Sequence, residues 1–241
     1  MKLAQAFALW ALSCSAALAD EAQDAFVESN LLSIFYHELG HAVIDVARVP
    51  IFGQEEDAAD VMSILMIDAL FKEQPAQDIA YDAAFGFQAG ADDAYEPAYW
   101  DVHGPDLQRY YTLVCLFYGA NPDAREDLAI ELGLPEERAI GCEDEFSLAN
   151  DSWGPIWDDL EAKAPGKSLR FVEPKGKLAE SLSAEVLRYE VDALNATFAL
   201  PRIVDVRIES CGQANAFYDP NDRTITLCAE FEPYLRDLYR N

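Results

Sequence analysis

Apolar positions follow a helical period over most of this chain and a strand period near its end. Between Asn30 and about Ala47, the residues Leu31, Ile34, Phe35, Leu39, Val43, Ile44 and Val46 surround the helical wheel. A helix that is apolar on every side is buried on every side. Asn30 is placed to cap its start, and Pro50 and Gly53 break the chain after its end. A second helix is expected from Gln54 or Glu55 to about Lys72. Glu55, Glu56 and Asp57 complement its positive start, and its body, Val61 to Leu70, is strongly apolar. Residues 75–100 read as a further helix followed by an acidic, aromatic loop. Pro105 opens a helix that runs to Phe117 or Tyr118 and stops at Gly119. Shorter helices are expected around 123–132 and 135–147, with Gly154, Pro155, Pro165 and Gly166 bracketing a looser connection.

Beyond that connection, Ser168 to Glu173 suits a strand and Ala179 to Phe198 a helix stopped before Pro201. Ile203 to Glu209 alternates with period 2. Asn215–Tyr218 and Thr224–Cys228 read as two strands joined at Asp219-Pro220-Asn221-Asp222 as a hairpin. A short helix over about 233–240 ends the chain. The pattern predicts an α+β fold, mostly helical, with a small antiparallel sheet formed by the C-terminal part. Residues 20–241 are expected to form a single domain, with a helical part at 20–166 and a sheet-forming part at 167–241.

The first nineteen residues have another character. Lys2 precedes an apolar run, and Ala17-Leu18-Ala19 closes it with a small-x-small pattern. This is the order of a secretory signal peptide, expected to be cleaved after Ala19. Cys14 follows a poor lipobox, so lipidation ranks behind simple cleavage. No later stretch is long enough to span a bilayer, so the expectation is an exported chain, periplasmic or secreted, with no membrane insertion once the signal is removed. Past residue 19 there are four cysteines, Cys115, Cys142, Cys211 and Cys228. An even number in an exported chain favours disulfides, here the local pairs Cys115–Cys142 and Cys211–Cys228. Four thiolates on a structural zinc are the alternative, but the close Cys-x-x-Cys spacing is missing. The formal charge of −27 disfavours nucleic acid and anionic lipid as partners. The oligomeric state is not legible.

The chemistry concentrates in His37-Glu38-Leu39-Gly40-His41. Histidines four apart on a helix lie one turn above each other on one face, so both imidazoles reach one metal ion. Glu38 is then placed to take a proton from a water the metal holds. Two of the chain's three histidines fall in this motif. A catalytic zinc needs a third protein ligand. The next helix offers Glu55, Glu56, Asp57 and Asp60; we choose Glu56, with Asp60 one turn on as acceptor for a ligand histidine. His103, the third histidine, is a candidate donor to the oxyanion of a tetrahedral intermediate. Arg109 could do the same or pair with Asp101 or Asp106, and Tyr218 is a third candidate. Trp100, Tyr110 and Tyr111 read as packing groups.

Several stretches together resemble a metallopeptidase family of unknown function. They are His37–His41, Gly53-Gln54-Glu55-Glu56-Asp57-Ala58-Ala59-Asp60, Asp101-Val102-His103 with Gln108-Arg109-Tyr110-Tyr111, Leu134-Pro135-Glu136-Glu137-Arg138-Ala139, and Cys211-Gly212-Gln213-Ala214-Asn215-Ala216-Phe217-Tyr218-Asp219-Pro220. The resemblance covers nearly all of the chain after the signal and implies a zincin-like fold. A looser similarity to the CAAX-type membrane endopeptidases singles out Glu56 and Asp60 through their Glu-x-x-x-Asp spacing. It also implies that Asn215-Ala216-Phe217, with Tyr218, forms a substrate-binding strand beside the cleft, where a peptide could add by main-chain hydrogen bonds. In both resembled groups that hairpin precedes the metal helix, whereas here it follows. The order looks circularly permuted, which requires the two ends of the exported chain to lie close together. The expected activity is zinc-dependent hydrolysis of peptide bonds in a peptide or protein substrate, with one zinc ion as cofactor. The rival readings are a non-catalytic zinc-binding interaction protein and an amidase acting on non-protein amides.

Overall fold

The structure is a computed structural model that describes the backbone of residues 4–93 and 99–240, and the side chains of 20–89 and 99–240. The signal-peptide reading rests on side chains outside those residues. The long helix α1 (Ala4–Ala47) is followed by α2 (Glu55–Leu70), α3 (Glu73–Asp93) and α4 (Asp106–Ala120). Then come α5 (Pro122–Glu131), the single turn α6 (Glu136–Ala139) and α7 (Cys142–Glu161). The rest is β1 (Leu169–Phe171), a 3-10 turn (Gly176–Glu180), α8 (Leu182–Thr197), β2 (Val204–Glu209), β3 (Ala216–Asp219), β4 (Thr224–Cys228) and α9 (Phe231–Arg240).

α1 is the axis of the molecule. It packs against α2, α3, α8, α9, β3 and β4. Leu31, Phe35, Tyr36, Leu39 and Val43 are fully buried on it, each apolar side chain contributing about 1.5–3 kcal/mol by leaving water. The Tyr36 hydroxyl, buried with them, donates to Glu190 of α8 at 2.6 Å. The helix does not begin at Asn30. That residue lies mid-helix, and its side-chain amide donates to the carbonyls of Phe26 and of Asp82 on α3. It is a buried bridge rather than a cap, because Phe26 and Val27 continue the buried face upstream.

The sheet has the order β1-β2-β4-β3 and is mixed, not antiparallel. β1 pairs parallel with β2, and β2 parallel with β4; only β3 and β4 run antiparallel. The reason is the crossover: α8 carries the chain from β1 to β2, which makes neighbouring strands parallel. All five residues of β4 are buried, so it takes the interior position and leaves β3 at the edge. A second correction concerns Gly154 and Pro155, which lie inside α7 rather than in a connection. Pro155 is on the exposed side of that helix, where water can satisfy the carbonyl its missing N–H leaves free. The helix expected at 135–147 is broken into α6 and the start of α7 at Gly141.

Both local disulfides are present, Cys115–Cys142 joining α4 to α7 and Cys211–Cys228 joining the loop before β3 to the end of β4. Beside the first, a side chain on Gly119 would collide with the Cys142 carbonyl. Among the described residues no helix is long and apolar enough to cross a membrane. α9 closes on the early part of α1: Arg236 pairs with Asp24 at 2.5 Å, and the Gln23 amide donates to the Arg236 carbonyl at 2.9 Å. The adjacency that a permuted order requires is therefore met between α9 and Gln23–Phe26.

Candidate metal centre

The site starts from a close helix crossing. Gly40 of α1 lies against Ala59 of α2; a Cβ on Gly40 would be 2.9 Å from the Ala59 Cα. Two small residues let the helix backbones approach, and the first turn of α2 comes beside His37 and His41. Their Nε2 atoms are 3.2 Å apart. Glu56 Oε2 is 3.2 Å from His37 Nε2 and 3.1 Å from His41 Nε2. A tetrahedral zinc with bonds of about 2.0–2.1 Å needs ligand atoms roughly 3.3 Å apart. The three atoms fit one face of that tetrahedron.

Each imidazole is oriented from behind. His37 Nδ1 is 2.8 Å from Asp60 Oδ1, and His41 Nδ1 is 2.8 Å from Glu55 Oε1. Arg109 of α4 grips Asp60 with two bonds, Nε to Oδ2 at 2.7 Å and Nη2 to Oδ1 at 2.9 Å. Burial would push the Asp60 carboxyl up, but Arg109 and His37 outweigh it and hold it below its ordinary value. Ionised Asp60 places the His37 proton on Nδ1, which leaves Nε2 free for a cation when the ring is neutral. Burial also opposes charge on His37 itself, yet Asp60 and Glu56 raise its pKa to about 9. Glu56 is partly buried, and three imidazoles still hold its carboxyl far below the ordinary range.

Glu38 is buried beside this triangle. Its carboxyl is raised above the ordinary value, chiefly by desolvation, while His37, His41 and a hydrogen bond from the Tyr218 backbone N–H oppose the rise. A carboxylate made more basic in this way is a better proton acceptor near neutral pH. The group opens into a cleft of about 1390 Å³, walled on one side by residues 100–107 and on the other by Asn215–Tyr218 of the edge strand.

A family model described as "Putative metallopeptidase" matches residues 9–156 and 174–241. The chain belongs to that family. No curated protein and no solved structure matches it.

The other residues singled out in this metallopeptidase-family chain lie in or near the cleft, apart from Tyr110 and Tyr111. His103 Nε2 is 3.0 Å from Glu56 Oε2, and its Nδ1 is 3.2 Å from Asp101. Its ring stacks towards His37 with centroids 6.4 Å apart. His103 thus shares one cluster with His37 and Glu56. Arg109, expected as an oxyanion donor or as a partner of Asp101 or Asp106, lies 3.7 Å from Asp106 but gives its two short bonds to Asp60. Asn215, Ala216, Phe217 and Tyr218 all line the cleft, and the Tyr218 hydroxyl donates to Asp45 at 2.7 Å. Tyr110 is buried and donates to the Leu132 carbonyl, and Tyr111 is packed against the core. Trp100 is not a packing group: it stands exposed in the cleft wall. The alternative of four thiolates on a structural zinc is overturned, since all four cysteines are consumed in the two disulfides.

Two contributors escaped the sequence reading. Glu55, weighed only as a rival metal ligand, supports His41. Gly40 was present inside the motif, but its role depends on what lies across from it. The signal that could have found both is the pairing of a small residue on each helix, Gly40 and Ala59, in register with consecutive acids at the start of the second.

Proposed function

We propose that the protein is an exported zinc-dependent metallopeptidase of zincin-like architecture. The observation that carries this reading is the triangle of His37 Nε2, His41 Nε2 and Glu56 Oε2, with edges of 3.1–3.2 Å, beside a buried carboxylate. The two disulfides favour an oxidising compartment, periplasmic or extracellular. His37, His41 and Glu56 would hold the ion; zinc in such a site supplies a Lewis acid that activates water and polarises a carbonyl.

The chain's own residues do the rest. Glu38 accepts the proton of the attacking water and passes it to the leaving amine nitrogen, so no covalent acyl intermediate is needed. The Tyr218 N–H keeps the Glu38 carboxylate aimed, and Asp60, with Arg109 behind it, keeps His37 in the right tautomer. His103, which lies 3.0 Å from Glu56, is the candidate donor to the carbonyl oxygen as it gains charge. The edge strand Asn215–Tyr218 would hold the peptide main chain.

The test uses metal analysis and a quenched peptide library on wild type, Glu38→Gln and His41→Ala. One zinc per chain is expected in wild type and Glu38→Gln. Cleavage should fall about 10²–10⁴-fold in Glu38→Gln, and His41→Ala should lose the metal. A Glu38→Gln protein that still cleaves removes Glu38 as the base. Zinc binding by a wild type that cleaves nothing would leave a zinc-binding interaction protein.

A further inference from the structure

The cleft walls carry information about the substrate that the metal motif does not. Four large apolar side chains that line the cleft lie open to solvent: Trp100 is 88% exposed, Val102 63%, Leu107 50% and Phe217 40%. They come from both walls, so a chain passing between them meets apolar surface on each side. Exposed apolar side chains gathered in a concave site mark where ligand surface is buried.

The main-chain groups of β3 face the same space. The Cys228 N–H bonds the Asn215 carbonyl, so residues 215, 217 and 219 turn their polar groups towards β4. Ala216 and Tyr218 turn theirs to the opposite side. The Tyr218 N–H is already engaged there by Glu38, so the N–H and carbonyl of Ala216 point to the cleft as well. An extended backbone lying in the cleft would meet them there.

Charge completes the selection. Apart from Glu38 and Glu56, the lining carries Asp45, Glu55, Asp101 and Asp106. Among the described residues its only lysine or arginine is Arg109, and that guanidinium is held bidentate by Asp60. Among the described residues, the walls therefore offer no free lysine or arginine to neutralise a carboxylate of the substrate, whether a side chain or a C-terminus. The net charge of −27 adds to the repulsion.

Resting on the peptidase reading above, we infer that the substrates are internal, extended polypeptide segments with bulky apolar side chains at the scissile bond and basic residues flanking them. Acidic segments and C-terminal residues are excluded. The enzyme is in this sense an endopeptidase for cationic, apolar sequences.

The test takes the zinc-loaded full chain and quenched peptides sharing one Phe-containing core, flanked by two lysines or by two glutamates. Expected is a kcat/KM at least tenfold higher for the lysine peptide at about 20 mM salt, shrinking severalfold at about 500 mM as the charges are screened. Trp100→Ala and Leu107→Ala should each raise KM severalfold for the Phe core and little for an Ala core. The same peptides are bound to Glu38→Gln by fluorescence anisotropy, and the lysine peptide should bind more tightly. Equal cleavage of both peptides, or apolar variants with unchanged KM, overturns the inference and leaves the peptidase reading intact. A protein that neither cleaves nor binds any member of the set overturns both.

Discussion

Gly40→Ala tests whether the helix crossing builds the metal site. The added methyl would lie 2.9 Å from the Ala59 Cα, 3.1 Å from its Cβ and 3.3 Å from its carbonyl oxygen. Carbon contacts relax at about 3.5–4.0 Å, so α1 and α2 must part by roughly 0.5–1 Å. The obstacle is backbone and cannot swing aside. Glu56 sits one turn from Ala59 on the same helix, so the displacement is passed to its carboxylate. Metal sites tolerate only about 0.2 Å of ligand error. Stability should fall by roughly 0–2.5 kcal/mol, since overpacking costs about 1–3 kcal/mol and replacing a mid-helix glycine by alanine returns about 0.5–1 kcal/mol. Zinc affinity is therefore the sensitive readout, and a loss of about 10–100-fold is expected, on the scale of lost ligand support. Competition with a chromophoric chelator measures it, with thermal unfolding of the metal-free protein alongside. Gly53→Ala is the control, since a Cβ there meets nothing within 4 Å. Unchanged zinc affinity in Gly40→Ala, or an equal loss in Gly53→Ala, would refute the crossing as the origin of the triangle.

Further outcomes follow from the same network. Asp60→Asn and Arg109→Ala should each weaken zinc binding, the first by about 10–100-fold, and the double variant should lose less than the product of the two because both act through His37; multiplicative losses would show independent roles. His37 in the metal-free protein has its pKa raised to about 9, so zinc must displace a proton at neutral pH. Affinity should rise with pH up to about 9, and calorimetry in buffers of different ionisation enthalpy should detect the released proton. The same shift stabilises the metal-free fold: the contribution is complete below the unfolded value of about 6.5 and lost as pH rises through about 9. Replacing Cys115 and Cys142 by serine opens a link across 27 residues and should cost about 3–4 kcal/mol in urea unfolding; a change under about 1 kcal/mol would show that the packing of α4 on α7 suffices without it.

The convergence of His37, His41 and Glu56 was legible because these residues are local. Two histidines on one helix and an acid at the start of the next are joined by a turn of a few residues, and helical periodicity places them. Asp60 was legible for the same reason. Arg109 and Trp100 were not, because their roles depend on α4 and its approach loop docking against α2, which no local pattern encodes. Arg109 has Asp106 nearby in sequence, yet Asp60, forty-nine positions away, takes the bidentate contact. The sheet shows the same divide. Strand positions were readable from alternation, but pairing direction was not, since it is decided by where α8 returns the chain. Asn30 misled because the same side chain that caps a helix start can also satisfy itself against carbonyls inside a packed pair of helices.

The late position of the edge strand fits this division between local and distant parts. β3 relates to α1 through contacts that do not depend on chain order: the Tyr218 N–H on Glu38, the Tyr218 hydroxyl on Asp45, and small Ala216 in the wall of the cleft. α9 then returns to the beginning of the described side chains, where Arg236 meets Asp24. With those two places adjacent, a hairpin can lie before the metal helix or after the last one and still reach the same groove, because only a surface connection has to be rerouted. Glu38 thus meets a segment about 180 residues downstream of it. The triangle of His37, His41 and Glu56 needs only α1 and α2, whereas Glu38 meets β3 only once the whole fold is made.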